Sequence, residues 1–321
     1  MRGFLSKFSD PMIIMLLLAT ALANIVPAMG EQREAAQAIA NIGVFVLFLV
    51  NGMRIKRSEI MRGFANWRFF LPLMIWVFGA MAIAGWGMSS VASLALDPKI
   101  ALGFLFLGCL PSTIQSATSY TTLAGGNVAL SVVGAALINI AGVFVTAPLF
   151  AVLGGGAIAE LDSQVIIRIG TILILPFIIG QLVQAWTHDW VTQRKAKIIW
   201  LDRIVIAILV YVAFSGAIEQ GLATMFTPAT GAILFVLTGV FMLAANAAAW
   251  SVSGLLGFPR SDRIAFLFAG AQKSVAIGAP MAAILFTTEV AGFVIAPLLL
   301  YHLLQLILAA PLASHFADGQ T

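Results

Sequence analysis

Charge is what this sequence lacks most. Only 9% of its 321 residues are Asp, Glu, Lys or Arg, against about 25% in an ordinary soluble domain. Seventeen basic and 13 acidic side chains cannot clothe a water-facing surface on a chain this long, which excludes a soluble enzyme. Cysteine is nearly absent too. Cys109 stands alone, so no intrachain disulfide, cysteine-rich zinc site or iron–sulfur framework can form. The three histidines show no metal-ligand spacing. No Gly-x-Ser-x-Gly, His-Glu-x-x-His or paired intramembrane aspartates point to a membrane hydrolase. Ala271-Gln272-Lys273-Ser274 has the Lys-Ser of a phosphate-binding loop but neither the glycine before Lys nor a preceding strand. An ATP-driven pump drops out with it.

What is abundant is apolar sequence: 61% hydrophobic residues and a mean hydropathy of +1.04. A membrane-spanning helix needs roughly 20 predominantly apolar residues. Ten such windows occur, at about 11–29, 37–53, 69–88, 99–124, 127–153, 164–186, 198–218, 229–256, 263–286 and 290–314. The connectors are too short for a separate soluble domain, so residues 1–321 are expected to form a single all-α polytopic membrane unit. The basic N-terminal residues Arg2 and Lys7 before an apolar run have the outline of a cleaved leader. Asp10-Pro11, however, is a good N-cap and N1 pair, and the run continues to Met29, so it is read as the first span.

Orientation follows from Lys and Arg. With the N-terminus inside and ten spans, 13 basic residues fall inside and three outside (Arg33, Lys99 and Arg168), with Lys273 left within a span. The acidic residues divide almost evenly, as expected when Lys and Arg set topology. The reading is a multi-pass cell-membrane protein with both termini cytoplasmic. The isoelectric point near 9.5 then reflects topology and not a nucleic-acid partner. The partners expected are the lipid bilayer and a small-molecule substrate.

The two halves echo one another. Residues 104–117 (FLFLGCLPSTIQSA) and 266–279 (FLFAGAQKSVAIGA) share six identities without gaps at an offset of 162. Ala147-Pro148-Leu149 recurs as Ala310-Pro311-Leu312. Two five-span halves, 1–163 and 164–321, must run in opposite directions through the membrane. Inverted repeats are a common design of secondary transporters.

Both repeated segments are poor continuous helices. Pro111, followed by Ser112, Thr113, Gln115, Ser116, Thr118 and Ser119, interrupts the fourth span. Gln272-Lys273-Ser274 interrupts the ninth, with Gly278 and Pro280 beyond. Interrupted segments at corresponding places mark a transporter's midplane site, because unwound backbone frees carbonyls and half-helix N-termini favour anions. Lys273 is the one charged residue well inside a span, where burial is costly. It could hold an anionic substrate, take the place of a bound cation, or itself carry a proton. No Asp or Glu is expected deep in a span to bind sodium or relay protons. Asn139, His302 and Gln305 are further polar candidates, the last two sharing a helix face.

Gly108-Cys109-Leu110-Pro111, the Ser/Thr-rich stretch after it, and Gly126-Asn127-Val128-Ala129-Leu130-Ser131-Val132 together resemble the bile acid:sodium symporter family, solute carrier family 10. Gln272-Lys273-Ser274 with Gly278-x-Pro280-Met281, and Tyr301-His302-x-x-Gln305, resemble its divergent branch with poorly defined substrates. The resemblance spans essentially the whole chain. It implies ten helices in a panel and a core domain, the broken fourth and ninth helices crossing in the core, and sodium-driven uptake of an organic anion. It leaves Ser131 and Gln272, with Ser116, as sodium-ligand candidates. The bile-acid branch has a Glu where this chain has about Phe268, an Asn where it has Lys273, and a hydroxyl where it has Ala135. Two-sodium coupling is therefore expected to be lost.

The function expected is secondary active transport of a small organic anion by alternating access, with no catalysis and no cofactor beyond a candidate sodium ion. Ser112, Thr113, Gln115, Ser116 and Thr118 are expected at the first break, Gln272, Lys273 and Ser274 at the second. A proton-coupled or exchange carrier using Lys273 is the alternative within transport. A non-transporting membrane regulator is the alternative outside it, disfavoured by loops too short to offer a signalling surface.

Overall fold

The computed structural model describes residues 11–58, 61, 65–155, 167–222 and 227–318. Arg2, Lys7, Asp10, Arg62 and the 163/164 boundary between the halves lie outside the described residues. Among those described there is no strand.

The helices are α1 (Pro11–Ile25), α2 (Gly30–Arg54), α3 (Trp67–Ile75), α4 (Met81–Ala92), α5 (Pro98–Cys109), α6 (Ile114–Leu123), α7 (Val128–Gly154), α8 (Leu175–Gln193), α9 (Lys195–Glu219), α10 (Pro228–Leu255), α11 (Arg260–Ala271), α12 (Val275–Leu285) and α13 (Thr288–Asp318). A π-helical turn, Trp76–Ala80, joins α3 to α4 a few residues after Pro72, and another, Gly170–Ile174, leads into α8 just before Pro176. Proline removes one N–H from the ladder, and a wider turn next to it is a usual accommodation.

Among the described residues each apolar window carries a helix or a broken helix. Eight described helices are long and apolar enough to cross a membrane, nine when α5 and α6 count as one span bent by 63°. α1 falls short: its 15 residues reach about 22 Å of a roughly 30 Å hydrocarbon core. It stops at Ile25 because Val26 precedes Pro27, a position that disfavours helical backbone. Glu31–Glu34, expected as a connector, forms the first turn of α2. Likewise α9 starts at Lys195, which puts Asp202 two turns inside it.

The chain divides into two compact units whose pieces alternate along the sequence. One contains α1, α2, α8, α9 and Gly278–Ile295. Its helices meet through glycine: a Cβ on Gly52 would strike the Phe177 carbonyl, and one on Gly180 the Leu49 carbonyl. Gly216 and Gly292 make the equivalent approaches to Thr288 and Ala213. Such small-residue contacts let backbones approach where lipid offers no hydrophobic drive. Arg33 bridges Glu219 and Glu289, the latter at 3.7 Å.

The other unit holds α3 to α7, α10, α11, Val275–Ile277 and the chain from Ala296 onward. α4 and α5 touch at Gly85 and Gly108, where an added Cβ on either would come within 2.6 Å of backbone oxygen. Asp97 caps α5 by accepting from Lys99 N–H at 2.8 Å, with Pro98 at the first helical position. Asn127 opens α7 by accepting from Leu130 N–H and reaches Asp262 at 2.9 Å.

Candidate functional site

The site is built inside the second unit, where two helices stop and restart. α5 ends because Pro111 has no N–H and drives Leu110 into extended backbone (φ −76°, ψ 147°). Five successive carbonyls, Gly108 to Ser112, then need donors that a continuous helix would have supplied. Each receives one. Thr146 Oγ1 donates to Cys109 O at 3.0 Å, Ser274 N–H to Pro111 O at 3.1 Å, and Asn139 Nδ2 to Ser112 O at 2.9 Å. The remaining two, Gly108 O at 3.0 Å and Leu110 O at 2.7 Å, accept from the ammonium of Lys273. Pro111 itself is seated against Gly142 of α7, where a Cβ would lie 2.6 Å from its ring.

The second break is served in the same way. Gln272 is extended (φ −79°, ψ 148°) and ends α11. Trp76 Nε1 donates to Gly270 O at 3.2 Å, and Tyr301 hydroxyl to Ala271 O at 2.6 Å. Gln305 holds the Lys273 peptide from both sides, accepting from its N–H at 2.9 Å and donating to its carbonyl at 3.1 Å. Ser274 Oγ accepts from Ile277 N–H and so starts α12. The backbone bond from Ser274 to Pro111 joins the breaks directly.

Lys273 is fully buried. Among the described residues no carboxylate pairs with it; the ion pairs there involve Arg33 and Arg54. Its head therefore stands against neutral oxygen at the carbonyl end of a half-helix, the end that favours a positive charge.

A polar cluster lies beside it. The Thr113 and Ser116 hydroxyls lie within hydrogen-bonding reach of each other and of Gln272 Oε1, Thr113 at 3.1 Å from it; with one proton apiece they can fill two of these three contacts at a time. Thr113 occupies the cap position of α6 but spends its side chain on this contact and not on the helix. Gln272 Nε2, Ser112 Oγ and Thr118 Oγ1 are buried with no hydrogen-bond partner among the described residues. Turning the Gln272 amide round would only move the unpartnered end from nitrogen to oxygen. Each such group costs about 1–3 kcal/mol unless a ligand or water satisfies it.

The expected residues do not all converge. Ser112, Thr113, Ser116, Gln272, Lys273, Ser274, Asn139 and Gln305 join one hydrogen-bonded assembly, with His302 attached through Gln305 at 2.9 Å. Gln115 points away and is exposed. Ser131 is buried and receives the Thr121 hydroxyl at 3.1 Å. Phe268, expected near the place of the bile-acid branch's Glu, packs with Ile264, Ala309 and Tyr120, and Ala135 is buried and apolar. The sodium-ligand candidates thus fall into separate hydrogen-bonded pairs, Ser116 with Gln272 and Ser131 with Thr121, and each unwound carbonyl accepts one donor of the chain. Thr146, Trp76 and Tyr301 were not singled out as site residues from sequence. A hydroxyl, indole or phenol in an apolar span reads as self-bonded or interfacial until its partner is known.

Residues 10–318 match the family described as the SBF-like CPA transporter family. An uncharacterized protein of Pseudomonas aeruginosa is 34% identical over 310 residues, covering 96% of this chain and 93% of that protein. YfeH of Escherichia coli K12, named a candidate symporter, is 32% identical over 97% of this chain and 94% of its own. Sodium/bile acid cotransporter 7-B of Xenopus laevis is 25% identical over 94% and 89%.

Proposed function

Because the chain belongs to the SBF-like CPA transporter family, we propose that it is a secondary active transporter that carries a small organic anion across the cell membrane by alternating access. That it is a multi-pass membrane transporter of the bile acid:sodium symporter type follows from the family and its apolar helices. Substrate and coupling are the proposal. The observation that carries it is the junction of two broken helices, Ser274 N–H on Pro111 O, with two polar atoms of the breaks themselves, Ser112 Oγ and Gln272 Nε2, buried and without a partner among the described residues. Gln272 Nε2 and the Ser112 hydroxyl supply the neutral donors that an anion needs, next to the start of the half-helix α6.

Two inverted halves are supported by how their spans sort. The first two spans of each half enter one unit, and the third to fifth enter the other, apart from Gly278–Ile295. A cytoplasmic position for both termini is supported by the Lys and Arg distribution. Coupling to protons or to a counter-anion, and not to sodium, is supported by the oxygens already engaged around Ser116, Gln272 and Lys273.

The experiment is uptake into proteoliposomes, after a thermal-shift screen of organic anions has found one that stabilises the protein. Saturable uptake abolished in Gln272→Ala supports the reading. A stabilising anion that is never accumulated under sodium, proton or counter-anion gradients argues for a regulator that binds without transporting. Dependence on a pH gradient separates proton coupling from exchange.

A further inference from the structure

We infer that Lys273 supplies a tethered monovalent cation: its ammonium organises the Gly108 and Leu110 carbonyls as a bound alkali ion would, so the crossing takes up no free cation there. The inference deepens the transport reading and rests on it for its bearing on coupling.

Four observations carry it. First, the ligands of the ammonium are backbone carbonyls, at 3.0 and 2.7 Å, the neutral hard oxygens that unwound helices offer to cations. Second, these carbonyls belong to the last turn and cap of α5, where the helix dipole adds negative potential. Third, the intervening Cys109 carbonyl and the following two each take a neutral donor, so the ammonium fills the two places left over. Fourth, the lysine is clamped at its root. Gln305 holds its N–H and its carbonyl, Tyr301 fixes the preceding Ala271 carbonyl, and Ser274 is tied to Pro111. A snorkelling lysine has a free stem and a wet head. This one has neither, being fully buried. Two of the three ammonium hydrogens are committed to the chain's own backbone, which leaves it poorly placed to clamp a substrate carboxylate.

Lys273 is on this account a positioning residue that acts through the carbonyls. The test uses purified full-length protein and its melting temperature, at constant ionic strength, in sodium, potassium or choline chloride. Wild type is expected to melt alike in all three; a saturable stabilisation specific to sodium overturns the inference. Lys273→Ala removes the equivalent of a propylammonium ion. It is expected to melt several degrees lower and to recover, saturably, with n-propylammonium or with sodium, but not with tetramethylammonium, which has no N–H and is too bulky. A Lys273→Ala protein that melts with wild type, or that no cation restores, overturns it.

Should Lys273→Ala fail to accumulate, Lys273→Arg and Lys273→Met decide. A Met variant melting well below the Arg variant supports the tethered charge, and one melting no lower overturns it. None of these melts needs a substrate. Absence of anion uptake therefore counts against transport alone, and absence of cation rescue against this inference alone.

Discussion

Deleting one oxygen at Tyr301 isolates the worth of a satisfied helix break. Tyr301 is fully buried, its hydroxyl donates to Ala271 O at 2.6 Å, and its ring rests against Phe241 at 6.0 Å between centroids. Tyr301→Phe keeps the ring contact and leaves the Ala271 carbonyl without its donor in a dry interior. Stranding a buried acceptor costs about 1–3 kcal/mol. At about 2 °C per kcal/mol for a large chain, the melting temperature falls by roughly 2–6 °C. The protein carries its own reporter. Cys109 is the sole cysteine, is buried, and sits at the end of α5 in the same unit. A thiol-reactive fluorogenic dye therefore reads the opening of that unit during a thermal ramp. The control is Tyr211→Phe, which removes the same oxygen from a bond to Val26 O at an exposed helix end. Little change is expected there, since water replaces the donor. Equal shifts for the two variants, or none at Tyr301, would refute the premise that break carbonyls must be paired.

Other perturbations follow from the same contacts. Asn139→Ala strands Ser112 O and is expected to lower the dye-detected melt by a similar amount, about 1–3 kcal/mol, while Asn246→Ala, whose amide only bonds Met242 O in its own helix, changes little. Gly142→Ala puts a methyl 2.6 Å from the Pro111 ring; it is expected to reduce anion-induced thermal stabilisation as the break shifts, and unaltered stabilisation would count against the packing. Arg33→Ala breaks a partly exposed bridge to Glu219 and Glu289 and is expected to cost under about 1 kcal/mol, less again at high salt, as measured by melts across ionic strength.

Much of the fold was legible because hydropathy is a local signal. Among the described residues every window carried helix, though α1 is too short to cross a membrane, and the fourth span broke where Pro111 said it would. Helix ends were less readable: Glu31 and Glu34 look like a loop but serve as the polar first turn of α2. At the site, the residue types were visible and their targets were not. Lys273 was conspicuous as a lone charge, yet its ligands are carbonyls of Gly108 and Leu110, groups that every residue carries and no sequence pattern marks. Gln115 and Ser116 are neighbours in the same polar run, and only the helical turn of α6 decides that Ser116 meets Gln272 while Gln115 faces outward. Trp76, Thr146 and Tyr301 matter through single bonds to distant backbone, which spacing cannot foretell.

The broken fourth span also constrains the order in which the protein can be made. When a ribosome has inserted α5 to α7, Thr146 and Asn139 have arrived to cover the Cys109 and Ser112 carbonyls. The oxygens of Gly108 and Leu110 must wait for a lysine 165 and 163 residues downstream, and that of Pro111 for Ser274. Through the synthesis of α8, α9 and α10 the nascent chain therefore keeps an unfinished polar seam in the membrane. Such a seam has to be tolerated by the insertion machinery, by water, or by lipid headgroups until the ninth span enters and closes it.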